Sequence, residues 1–123
     1  MNTMPQVLVV EDEPILLQFV VQALWVGGCR ATGVESAEEA LAACERGGFD
    51  LVVSDVVLAG MSGPELACRL WERHSGLPVL FMTGEEPEIL EAYGLPTADL
   101  IEKPFDVSRF LTRVRLALGA GVP

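Results

Sequence analysis

Basic side chains are scarce in this chain. One lysine, one histidine and seven arginines face 18 acidic residues over 123 positions, for a net charge of −10. Direct nucleic-acid binding needs a basic patch that releases counterions from phosphates, and no such patch is visible. A single histidine, His74, argues against a Ser-His-Asp hydrolase or a histidine-rich metal site. It falls at the end of a predicted helix, where a solvated C-terminal role is the simpler reading. The three cysteines, Cys29, Cys44 and Cys68, form no CxxC pair and are odd in number, so neither a zinc site nor a disulfide framework is expected. They read as small buried hydrophobes. No apolar run approaches the roughly 20 residues of a membrane helix, and no leader resembles a signal peptide. No membrane insertion is expected, and cytoplasmic residence is the default.

What the chain does have is punctuation. Val7-Leu8-Val9-Val10 runs into Glu11-Asp12, Leu51-Val52-Val53-Ser54 into Asp55, Val79-Leu80-Phe81-Met82 into Thr83, and Leu100-Ile101-Glu102 into Lys103-Pro104. Short apolar runs separated by helical stretches read as buried strands of a parallel sheet. Strands are predicted near 6–10, 30–34 (weak), 50–54, 78–82 and 98–102. Helices are predicted over 14–26, from Ser36 to about Arg46, over 63–74, and from Asp106 onward. Ser36 with Glu39, and Ser62 with Glu65, have the spacing of capping boxes. The segment 85–95 is broken by Pro87, Gly94 and Pro96. Five strands and about five helices in alternation give one doubly wound α/β sheet with helices on both faces. The length suits a single domain spanning 1–123, with a core over about 6–118 and a flexible tail at 119–123.

In such sheets ligands sit outside the carboxyl ends of the strands. Glu11, Asp12, Asp55, Thr83 and Lys103 all fall there. An aspartate after a strand is most often a turn residue, but three carboxylates in one crevice repel. Two unit charges about 4 Å apart cost several kcal/mol at an effective dielectric near 20. A cation or a proton must relieve them, and oxygen donors without His or Cys favour Mg²⁺. Glu13 before Pro14 reads more simply as a helix start. Lys103 is either a solvated strand end or an inward-pointing phosphate partner. Thr83-Gly84 offers a hydroxyl and an unobstructed backbone N–H to an anion.

In order, spacing and strand position, Glu11-Asp12, Asp55 with Gly63 eight residues on, Thr83-Gly84 and Lys103-Pro104-Phe105 resemble the receiver domain of bacterial two-component response regulators. The resemblance covers about residues 6–118. It implies a flavodoxin-like sheet in the order 2-1-3-4-5 and phosphoryl acceptance by Asp55 from a phosphohistidine on a sensor histidine kinase or histidine phosphotransfer protein. It further implies Mg²⁺ held by Glu11, Asp12, Asp55 and the Val57 backbone carbonyl. Lys103, Thr83 and Gly84 would contact the phosphoryl group. No catalysis on external substrates is expected beyond self-catalysed acceptance and autodephosphorylation. A metal-dependent phosphohydrolase would want an acid/base carboxylate near the nucleophile, where Val57 stands.

Three features depart from the family pattern. Leu58 and Ala59 replace the usual Met-Pro, and Leu100 stands where many receivers carry the aromatic that couples to the threonine. Leu100 and Ala59 argue mildly for a pseudo-receiver that binds partners without cycling phosphate, and the five chemically competent site positions argue against it. The first helix carries two apolar faces. Leu16, Phe19, Val20, Ala23 and Leu24 are expected in the core, and Leu17, Val21 and Trp25 form a second stripe, read as a docking surface for the phosphodonor. The chain ends just after its last helix, so it is either a stand-alone regulator or part of a longer protein.

Overall fold

Five parallel strands pair in the order β2-β1-β3-β4-β5, comprising β1 (Gln6–Val10), β2 (Arg30–Val34), β3 (Leu51–Asp55), β4 (Val79–Thr83) and β5 (Leu100–Glu102). The computed structural model describes residues 4–84, 100–103 and 106–119, with backbone only at Leu100 and Glu102. The expectations for segment 85–95, for Pro104-Phe105, for the Leu100 side chain and for the tail beyond Gly119 lie outside the described residues. The strands predicted over 50–54 and 78–82 lie one residue further along. Consequently Asp55 and Thr83 are the last residues of their strands, hydrogen-bonded into the sheet, rather than the first residues of loops.

The strand side chains alternate between two cores, as a sheet covered on both faces requires. Leu8, Val10, Val52 and Phe81 pack with residues of α2 (Ala37–Glu45) and α3 (Gly63–Arg73) on one face. Val7, Val9, Leu51, Val53, Leu80 and Met82 pack on the other with α1 (Pro14–Val26) and α4 (Val107–Leu118). The predicted caps form. Ser36 accepts the Glu39 N–H and Ser62 the Glu65 N–H, both at 3.1 Å, and Asp106 accepts the Arg109 N–H at 2.7 Å. Each satisfies a donor that a helix start would otherwise leave unpaired.

Three expectations about packing need correction. Cys29 and Cys44 are buried, and burial raises both thiols, but Cys68 is exposed. On α1, Val20, Ala23 and Leu24 are buried as expected, whereas Phe19 is 44% exposed. The second stripe behaves differently too. A Cβ on Gly33 of β2 would meet Leu17 Cδ1 at 2.9 Å and Val21 Cγ2 at 3.1 Å, so these side chains lean into the hollow that Gly33 leaves. Both are half-buried as a result. Trp25 remains exposed, and its indole N–H donates to the Ala31 carbonyl at 3.2 Å. The most open apolar positions of α1 are instead Ile15 and Val26, 79% and 83% exposed.

Candidate functional site

Register brings the punctuating residues together. Val10 pairs with Ser54 across β1 and β3, and Asp55 pairs with Met82 across β3 and β4. The chain therefore leaves β1 into Glu11-Asp12 beside Asp55, with Thr83 at the end of the next strand. Thr83 pairs with Glu102, and the Lys103 N–H donates to the Thr83 carbonyl at 2.6 Å. Glu11, Asp12 and Asp55 each place a carboxylate oxygen within 4.8 Å of the others. Glu11 and Asp55 are buried while Asp12 is exposed.

Lys103 Nζ bridges the two buried carboxylates, 2.9 Å from Asp55 Oδ2 and 3.2 Å from Glu11 Oε1. The lysine side chain thus points into the acidic cluster rather than into solvent. Burial pulls its ammonium down, but the hydrogen bonds and charges of Asp55 and Glu11 outweigh that and raise its pKa. Glu11 is pushed up to about 7, first by burial and then by the Asp55 charge, against the Glu13 N–H and Lys103, which pull it down. With all three acids ionised, one ammonium leaves two negative charges uncompensated. That deficit and the all-oxygen donor set fit a hard divalent cation.

The backbone completes the site. Glu13 N–H donates to Glu11 Oε2 at 3.0 Å, Val57 N–H to Asp55 Oδ1 at 3.2 Å and Ala59 N–H to Asp12 Oδ2 at 3.2 Å. Gly63 closes the floor. Its N–H donates to the Val56 carbonyl at 2.8 Å, and a Cβ there would collide with the Asp55 carbonyl oxygen. The start of α3 thus lies against the backbone of Asp55. Thr83 is buried, and among the described residues nothing lies within 4 Å of where a Cβ on Gly84 would stand. Sequence reasoning missed the amides of Glu13, Val57 and Ala59 as structural parts of the site. Backbone donors carry no side-chain signature, and only the spacing from each acid could have hinted at the first two.

The sequence model for the response regulator receiver domain matches residues 7–115. The chain belongs to this family. Receiver domains are the receiving modules of two-component signalling, and the curated relatives agree. The sensory transduction protein RegX3 of Mycolicibacterium smegmatis is 36% identical over 96% of this chain and 52% of its own length. The response regulator protein FleR of Pseudomonas aeruginosa is 40% identical over 93% of this chain and 25% of its own. This receiver therefore spans about half or less of the curated relatives it matches. Among solved structures, a response regulator receiver protein from Sinorhizobium medicae superposes with a TM-score of 0.85 at 27% identity, covering 95% of this chain and 96% of that one. The chemotaxis response regulator CheY4 of Vibrio cholerae gives 0.81 at 28% identity, covering 94% and 99%. No helix among the described residues is long and apolar enough to cross a membrane.

Proposed function

We propose that this receiver accepts a phosphoryl group on Asp55 from a phosphohistidine of a sensor histidine kinase or histidine phosphotransfer protein. The observation that carries the reading is the Lys103 ammonium bridging Asp55 and Glu11 beside Asp12. An Asp55 carboxylate oxygen forms the new P–O bond as the P–N bond to the donor imidazole breaks. The imidazole leaves with the bonding electrons and takes its proton from solvent. A carboxylate nucleophile needs no general base, consistent with a site built without histidine.

The residues present fit Mg²⁺, with Glu11, Asp12, Asp55 and the Val57 carbonyl as its holders. When bound, Mg²⁺ supplies charge neutralisation to the phosphoryl oxygens. The chain's own residues do the rest. The Val57 N–H fixes one Asp55 oxygen and Lys103 pairs with the other. Lys103 follows Asp55 and meets the incoming negative charge. The Thr83 hydroxyl and Gly84 N–H are assigned to the phosphoryl oxygens once Asp55 is modified. The protein turns over no external substrate, and its chemistry ends with its own phosphorylation and autodephosphorylation.

The donor is assigned to the open face of α1, which starts directly after the acidic cluster. Leu17 and Val21 offer only part of their surface there, so Trp25 from the expected stripe is joined by Ile15, Phe19 and Val26. Phe19→Glu should slow phosphotransfer from a cognate donor and leave labelling by acetyl phosphate unchanged. Equal rates from the donor would remove this face from the reading.

The test of the main proposal is a mass measurement. Acetyl phosphate and Mg²⁺ should add one base-labile phosphoryl group to the chain and none to Asp55→Asn. No adduct from either acetyl phosphate or a histidine phosphodonor would favour a pseudo-receiver, and steady phosphate release from esters would favour a hydrolase.

A further inference from the structure

β2 is an edge of the sheet, paired with β1 alone. An edge strand presents unpaired backbone groups to any chain able to pair with it. The register identifies those groups. Arg30 N–H donates to the Pro5 carbonyl at 2.8 Å and Glu11 N–H to the Val34 carbonyl at 3.1 Å. Arg30, Thr32 and Val34 therefore turn their backbone groups towards β1. Ala31 and Gly33, which alternate with them, turn theirs outward.

That outward pair is self-complementary. Turned antiparallel about Thr32, Ala31 of one copy stands opposite Gly33 of another, and each such pair exchanges both its N–H and its carbonyl. The Ala31 carbonyl accepts half of those bonds, and it is already occupied. Trp25, in the last turn of α1, donates its indole N–H to it at 3.2 Å while the ring stays exposed. Neither Ala31 nor Gly33 has a side chain that could block the edge itself. The first is buried under α1, and the second leaves a hollow that Leu17 and Val21 fill.

We infer that β2 is a latent pairing edge for a second copy of this chain, and that the Trp25 indole holds it shut. A second β2 must displace the indole N–H from the Ala31 carbonyl in both copies, and the ring beside that carbonyl lies in the path of the incoming strand. Release of the indole leaves a matched edge that joins the two sheets. The inference rests on the register of β2 and on one indole bond, and takes nothing from the acidic cluster or from phosphoryl chemistry.

Sedimentation of the unchanged chain, Trp25→Phe and Trp25→Phe/Ala31→Pro over a concentration series tests this. Phenylalanine keeps a ring but has no N–H. With one indole bond per copy no longer to be broken, self-association should tighten roughly ten- to a hundredfold. Proline at 31 removes an outward N–H that β1 does not use, which edge strands tolerate, and should return association to that of the unchanged chain. In associated Trp25→Phe the Ala31 and Gly33 amides should become slow to exchange with solvent. Association of Trp25→Phe no tighter than that of the unchanged chain overturns the inference. Tightening without protection of those two amides, or tightening that survives Ala31→Pro, overturns it as well, because it marks apolar adhesion rather than edge pairing. One measurement needs no variant to fold. In the unchanged chain the Trp25 indole N–H should exchange more slowly than in the urea-unfolded chain, and equal rates overturn the inference.

Discussion

The two ends of the sheet make an instructive contrast. An open cleft of about 330 Å³ lies at the amino ends of the strands among Phe49, Asp50, His74 and residues 75–78. It contains a carboxylate and the only histidine, yet Asp50 accepts the Gln6 N–H at 2.8 Å and among the described residues belongs to no acidic cluster. The carboxyl end gathers far more charge, with three acids from two strand ends and one ammonium from a third that pairs with Glu11 and Asp55. Charge that the fold forces together marks the chemical end of this protein.

Several variants would break or sharpen that contrast. The largest effect is expected on labelling. Asp55→Asn should lower acetyl phosphate adduct formation by at least about a hundredfold, while Asp50→Asn at the opposite end changes it less than about twofold, as read by intact mass. Loss of labelling in Asp50→Asn would erase the distinction between the ends.

Next comes the ammonium. Lys103→Met leaves Glu11 and Asp55 facing each other without their shared cation, and metal-free stability at pH 8 should fall by about 2–4 kcal/mol in urea unfolding. Added Mg²⁺ should restore part of the loss.

A pH effect of about 1–3 kcal/mol follows from Glu11. Its carboxyl is pushed up to about 7 in the folded chain from 4.5. Between those values the folded state holds a proton that the unfolded state has released. Metal-free stability should therefore fall as pH rises through this window, and Glu11→Gln should flatten the fall. Mg²⁺ must displace that proton, so its affinity should climb with pH up to about 7 and then level. A Mg²⁺ affinity independent of pH would separate Glu11 from the metal.

The smallest change is expected away from both ends. Arg73 and Glu45 pair at 2.9 Å between α3 and α2, with side chains 71% and 55% exposed. Arg73→Ala should move the urea midpoint by no more than a 1 kcal/mol equivalent, at roughly the limit for exposed pairs.

Much of this was legible beforehand because the signals were local. Four apolar runs marked strands, those in β1, β3 and β4 to within one residue, and Ser36, Ser62 and Asp106 marked helix starts that the structure keeps. The acids and the lysine could be nominated from their position after those runs. What was not legible depended on partners distant in sequence. Phe19 had the apolar spacing of a core residue, but α1 is rotated so that it stays 44% exposed. Leu17 and Val21 looked like an open stripe because nothing in their own helix announces the hollow at Gly33. Cys68 looked buried by composition and is not.

The sequence by itself determined the alternation of strands and helices, the two-sided core and which side chains would stand at the strand ends. Periodicity and capping are properties of neighbouring residues, and neighbours can be read in a line. Only the tertiary structure decided which way Lys103 points, that Glu11 is pushed up to about 7, and that the Ala59 N–H reaches Asp12. Those outcomes turn on burial and on charges brought within a few ångströms across four strands, and no local pattern encodes them.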